Sequence, residues 1–293
     1  ENTRINNELT FAADDGLGSD IQVYEESDSL SDVIPEEAVE QMREIEGLES
    51  VLPVRYMLGE IPLDDGIFLW KPFYAEVAEE EGFEPEPEIM EKYNGKIVQT
   101  GEDDYRLKVN IYGYDDEMLE VLEDYLLEGE IDPDRMREEN TVIMKTLMDG
   151  QGNYDGITVE PGDTLEIRTP RDARPEADVL RFLGAEEDYR TASMEIAALT
   201  SRPLGKVETY IGDDGQGEVD LIMTNEQMEQ NFGVTGYQTV SISLKEDADA
   251  AEAADALRST VSGISRCVVR DYTAQIEAQN LYLDQQIMFF YGI

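Results

Sequence analysis

Two stretches of this chain, one near each end, follow the same order of strand, helix and strand, and that repetition constrains the fold more than anything else in it. In the first, Ile21, Val23 and Tyr24 open an extended run. Ser31-Asp32 and Pro35-Glu36-Glu37 then supply a helix start, with proline near the first position and acids in the first turn. Ala38, Met42 and Ile45 give the helix a buried face, Gly47 ends it, and Val51 to Leu58 reads as the second strand, with Pro53 marking an edge or a bulge. In the second stretch, Val240, Ile242 and Leu244 alternate within Thr239 to Leu244. Asp247 and Asp249 start a helix faced by Ala250, Ala254, Leu257 and Val261; Gly263 closes it, and Ile264 to Arg270 is the strand that follows. Two such units with everything else between them predict one small α+β layer interrupted by a long insertion.

The insertion, from about Ile61 to Gly236, is strand-rich with irregular links. Tyr105, Leu107, Val109 and Ile111 alternate as a strand, and Asp115-Asp116 caps a short helix through Met118, Leu119, Leu122 and Leu126. Pro161-Gly162-Asp163 turns into the strand Thr164 to Arg168, and Met194 to Leu199 is apolar enough to be buried. Gly212-Asp213-Asp214-Gly215 reads as a hairpin turn between Val207–Ile211 and Val219–Met223, and Asn225 as the cap of a short helix ending by Gly233.

The stretch from Asp271 to Ile293 begins polar, yet Ile276, Leu283, Ile287 and Phe290 recur on one helical face. After Asp284 it runs into Ile287-Met288-Phe289-Phe290-Tyr291-Gly292-Ile293, apolar on every side. A surface of that kind is normally covered, and the expectation is a membrane span beyond it, with the sequence being an excised piece of a membrane protein.

Composition narrows the functions. Lys+Arg 22 against Asp+Glu 68 gives a formal charge of -46, which opposes nucleic acid and anionic membrane surfaces. The 41% apolar content is enough for a core. The single cysteine, Cys267, permits no intrachain disulfide and reads as a buried strand residue. With no histidine, Ser-His-Asp and Cys-His nucleophiles are excluded, along with the commonest metal ligand. Neither Lys96 nor Lys206 stands in a P-loop, and the glycine-rich Gly150 to Gly156 misses dinucleotide-binding spacing. The acid pairs Asp14-Asp15, Asp64-Asp65, Asp103-Asp104, Asp115-Asp116 and Asp213-Asp214 read as solvated faces in so acidic a chain. Asp213-Asp214 is the one offered for calcium, though no stretch matches an EF-hand loop. Phe68-Leu69-Trp70-Lys71-Pro72-Phe73-Tyr74 carries the only tryptophan, and Trp70, Phe73 and Tyr74 are the candidate contacts for a substrate or partner, with core or interface packing as the plainer reading.

Several of these segments, in this order, resemble the large extracytoplasmic domain of MacB/FtsX-type ABC transporter permeases. They are Gly47-Leu48-Glu49-Ser50-Val51-Leu52-Pro53-Val54, Val109-Asn110-Ile111-Tyr112-Gly113-Tyr114-Asp115, Glu128-Gly129-Glu130 with Glu139-Asn140-Thr141-Val142-Ile143-Met144, Val159 to Ile167, and Tyr291-Gly292-Ile293. Gly129 departs from the family pattern in being followed by Glu where Arg is frequent. The resemblance, covering roughly Asp20 to Ile293, implies a MacB periplasmic-domain-like α+β fold. Residues 1–60 and 237–271 would form a membrane-proximal porter-like βαβ subdomain, 61–236 an inserted distal β-rich subdomain, and 272–293 a helix leading into a missing transmembrane span. It further implies a non-catalytic extracellular domain with no cofactor and no metal. The domain would couple ATP-driven motion of the spans to substrate export or partner regulation outside the cell. Its partners would be a separate cytoplasmic ABC ATPase subunit, a second permease copy, and an extracellular protein, peptide or lipid. Ile276, Leu283, Ile287 and Phe290 would belong to the mechanical coupling helix. Two alternatives stand beside it: a free-standing acidic binding or adhesion module, calcium-dependent in one form, and an enzyme working through a carboxylate pair such as a glycosidase.

Overall fold

The computed structural model describes residues 16–26, 32–62, 97–101, 104–145, 159–171, 185–205 and 219–291. Among them are strands β1 (Ile21–Glu25), β2 (Leu48–Pro62), β3 (Ile97–Gln99), β4 (Tyr105–Tyr114), β5 (Leu126–Gly129), β6 (Thr141–Lys145), β7 (Thr164–Pro170), β8 (Tyr189–Thr200), β9 (Asp220–Thr224), β10 (Thr239–Leu244) and β11 (Cys267–Asp271). The helices are α1 (Glu36–Arg43), α2 (Asp116–Leu122), α3 (Pro133–Glu139), α4 (Asn225–Phe232), α5 (Ala250–Val261) and α6 (Tyr272–Tyr291).

The strands from the two ends of the chain lie in the order β11, β1, β10, β2, each antiparallel to its neighbour. Ile21 and Val23 of β1 and Val240 and Ile242 of β10 point to one face, where Val39 and Met42 of α1 and Ala254, Leu257 and Val261 of α5 complete an apolar core. Pro53 lies in the part of β2 that forms the edge of this layer, where a missing N–H costs no ladder bond.

β2 then changes partners. Leu48 to Val54 pair with β10, and from Arg55 to Pro62 the strand pairs with β4. A single further pairing, Glu60 with Arg168, joins β2 to β7. The contacts β2–β7, β7–β8, β8–β6, β6–β9, β9–β4 and β4–β2 close a ring, so these strands form a barrel, with β3 and β5 added on β4 and β8. Thr191, Ser193 and Glu195 on β8 are exposed and alternate with Ala192, Met194 and Ile196, which identifies the latter face as the interior. Following the register round the ring places Ile167, Ile61, Val109, Ile111, Leu221 and Met144 inside as well. All are buried, and the barrel interior is an apolar core.

Several expectations are corrected. Leu126 is not on the helix begun by Asp115; that helix ends at Leu122, a 3₁₀ turn follows, and Leu126 opens β5 against β8. Thr224, not Asn225, caps α4, because its hydroxyl accepts from Gln227 while the Gln227 side chain returns a bond to the Thr224 N–H. On α5 the buried face uses Ala253 where Ala250 was expected, Ala250 being half-buried. β11 begins at Cys267 rather than Ile264, and Cys267 itself is half-buried. β9 pairs in parallel with β4 and antiparallel with β6. The hairpin turn at Gly212–Gly215, the Gly150–Gly156 loop and the pairs Asp14-Asp15, Asp64-Asp65 and Asp213-Asp214 lie outside the described residues.

Candidate functional site

The residue that ends β11 also starts α6. Asp271 pairs with Ile21 in the sheet, and its carboxylate accepts the N–H of Ala274 at 3.0 Å, capping the helix. No linker separates the two elements. The next residue, Tyr272, is only 5% exposed, and it ties the helix to the face of the layer opposite α1 and α5. Its N–H donates to Asp20 O at 3.0 Å and its hydroxyl donates to Gln22 Oε1 at 2.9 Å. Gln22 in turn donates to the Thr239 hydroxyl at 3.0 Å, and the Asp20 carboxylate accepts from Leu244 N at 2.7 Å. The helix root is thus bonded to β1 directly and to β10 through one intermediary. Beside it, the Arg270 guanidinium donates to the Tyr24 hydroxyl at 2.9 Å and lies 4.7 Å from the centre of that ring.

Beyond its root, α6 continues to Tyr291, about 30 Å at the usual helical rise. Ile276 is half-buried, whereas Leu281 and Tyr282 are each 60% exposed. Leu283, Ile287 and Phe290 are on the helical backbone, but their side chains lie outside the described residues, as do Trp70, Phe73 and Tyr74 altogether. Among the described residues, no helix is long and apolar enough to cross a membrane, and no three His, Cys, Asp or Glu side chains form a metal-binding group.

Two charged features were not singled out from the sequence. Glu60, 1% exposed on the outer wall of the barrel, accepts from Lys108 and from Arg168 Nε, the latter at 2.6 Å. The Arg168 guanidinium also stacks 4.1 Å from the centre of the Tyr189 ring. Burial pushes the Lys108 ammonium below its ordinary range, and the Glu60 carboxylate works against that shift. The second is Arg55, where β2 passes from one core to the other. Both could have been noticed as charges embedded in otherwise continuous apolar strands, since such residues are rarely buried without partners. An open groove of about 460 Å³ between α3 and the bulge in β8 is rimmed by acids, but Arg135 already stands among them, bonded to Glu139 at 2.8 Å and 3.6 Å from Glu130.

No family model matches the chain, and no curated protein matches it. Solved structures do. The periplasmic region of MacB from Actinobacillus actinomycetemcomitans aligns over 90% of this chain and 94% of its own, at 10% identity and a TM-score of 0.47. The extracellular domain of the noncanonic ABC-type transporter YknZ from Gram-positive bacteria aligns over 85% and 98%, at 12% identity and TM-score 0.41. A domain of a putative permease protein from Porphyromonas gingivalis aligns over 85% of each chain, at 11% identity and TM-score 0.37. The likeness to these three domains extends over most of the chain. At these identities and scores the neighbours lend no residue its role.

Proposed function

We propose that this chain is the non-catalytic outer domain of a MacB/FtsX-type ABC transporter permease. It would stand on the external face of a cell membrane and turn motion of membrane spans into work outside the cell. The observation that carries this reading is the junction at Asp271–Tyr272. A helix that grows from a central layer without a linker, and whose first side chain is hydrogen-bonded beneath that layer, transmits displacement instead of absorbing it. The ordered sequence segments around Gly47, Gly113, Gly129 and Gly162 support the same reading.

In this account the β11–β1–β10–β2 layer is the membrane-proximal porter-like subdomain, and the barrel is the inserted distal subdomain. A cytoplasmic ATPase chain drives the spans, a second permease copy completes the transporter, and Trp70, Phe73 and Tyr74 meet the substrate or an extracellular partner. The decisive experiment inserts a short Gly-Ser segment between Asp271 and Tyr272 in the full-length permease, reconstituted with its ATPase. ATP hydrolysis should persist while export, or activation of the outer partner, is lost. Full outward activity with the insertion in place would overturn the coupling role.

A further inference from the structure

The boundary between the two cores falls inside one strand. Leu48 and Val51 of β2 belong to the layer's core, while Leu52, Val54 and the residues after them belong to the barrel's. Arg55 is the first residue past the point where β2 leaves β10 for β4. Its side chain is 3% exposed, yet its guanidinium is bonded on both sides of the boundary. On the layer side it donates to Glu36 at the start of α1. On the barrel side it donates to Asn225 O at 2.8 Å and to the Glu229 carboxylate at 3.2 Å, both on α4. It also donates to Val234 O at 3.1 Å and lies 5.2 Å from the centre of the Tyr237 ring, both in the segment that returns from α4 to β10. Burial raises the Tyr237 hydroxyl above its ordinary range, and the nearby Arg55 charge opposes that.

The side chains around this guanidinium differ in a useful way. Its backbone acceptors are fixed by α4 and the return segment. The two carboxylates, by contrast, are more than half exposed: Glu36 at 56% and Glu229 at 54%. Contacts to such groups are weakened by salt, whereas the buried ones are shielded. Swinging the layer against the barrel about Val54–Arg55 would separate Glu36 from Arg55 while leaving the α4 bonds in place.

We propose that Arg55 is a latch across the hinge in β2: it stays seated on α4, and its bond to Glu36 locks the angle between the layer and the barrel. Released, the same strand is the pivot through which motion arriving at the root of α6 reaches the distal barrel. That purpose rests on the coupling role proposed above, but the latch is a property of this chain alone and is tested without spans or ATPase.

The test places spin labels at exposed Glu252 on α5 and Glu138 on α3, in a Cys267→Ser background, and reads the distribution of distances between them. Glu36→Gln should broaden that distribution about twofold with the melting temperature nearly unchanged, as expected for a partly exposed bond whose loss frees a hinge and not a core. High salt should broaden the parent protein in the same way and leave Glu36→Gln unaltered. Glu40→Gln, one turn along α1, should change nothing. A distribution that stays narrow in Glu36→Gln, or that broadens equally in Glu40→Gln, would overturn the latch. Arg55→Ala is the less useful variant, because its loss also strips the backbone acceptors of α4 and can unfold the barrel end.

Discussion

The four-stranded layer and the barrel are made of the same alternating strands, and the largest buried polar cluster of each is of a different kind. Behind the layer lies a neutral network in which Tyr272, Gln22 and Thr239 exchange hydrogen bonds at about the usual distances. On the barrel wall sits a charged one, with Glu60 serving Lys108 and Arg168 while 1% exposed. A neutral network stabilises modestly and can be rearranged cheaply, whereas a buried ion cluster is costly to break because removing one member leaves charge in a low-dielectric site. The barrel wall is accordingly the costlier of the two to disturb at a single residue.

The largest test of that contrast is Glu60→Gln. It keeps the volume and removes the charge that two buried cations share, and it should cost the barrel about 3–5 kcal/mol in chemical denaturation. Tyr272→Phe, which removes the hydroxyl bonded to Gln22 beside the Arg270 charge, should cost less, about 1–2 kcal/mol. If the two variants cost the same, the charged cluster is no costlier to break than the network behind the layer.

An intermediate effect is expected at Gly113, on the strand end where the barrel meets α4. A Cβ there would come within 2.7 Å of Met228, 2.8 Å of the Asn225 side chain and 3.1 Å of Arg55 Cβ. Gly113→Ala should therefore destabilise by about 1–3 kcal/mol through overpacking, and it should also disturb the seat of Arg55. An Ala variant as stable as the parent, with an unchanged distance distribution, would show that α4 does not pack tightly against this strand.

An effect of similar size is a pH dependence that distinguishes the two regions. Glu25 ends β1 of the layer, and neither of its oxygens has a hydrogen-bond partner among the described residues. Burial first, and the nearby Asp32 charge second, push its carboxyl up to about 7, against the pull of Arg266. Asp115 on the barrel side is pushed up to about 6, chiefly by burial, although it caps α2 by accepting from Met118 N. A carboxyl whose folded value is raised adds stability at low pH and loses it as pH climbs through that value. Stability should thus fall by on the order of 1–3 kcal/mol between about pH 5 and pH 8. Glu25→Gln should flatten the upper part of that fall and Asp115→Asn the lower part. A parent protein that grows more stable over the same interval would contradict both assignments.

Much of the architecture could be read from residue order alone. The alternation in Thr239–Leu244 and the acids before α5 specified a strand and a helix start that hold to the residue, because both signals are local. The helix after β11 was visible too, in the recurrence of Ile276, Leu283, Ile287 and Phe290, whereas the Asp271 cap that joins the two without a linker was not. The closing of the barrel was not visible. It depends on β2 meeting β7 at Glu60 and Arg168, far apart in the chain, and on β9 lying parallel to β4. Periodicity tells which face of a strand is apolar but not which strand lies beside it.

The sequence by itself determined the strand–helix–strand order at both ends, several elements of the insertion, the acidic composition, the lack of a histidine-based or P-loop chemistry, and the resemblance to permease outer domains. Only the tertiary structure decided that Glu60 and Arg55 are structural charges, and that one strand serves two cores. A charged residue in a strand looks the same from the sequence whether water or another strand covers it. The difference is made by partners more than a hundred positions away, such as Arg168 for Glu60 and Glu229 for Arg55, and no local pattern carries that information.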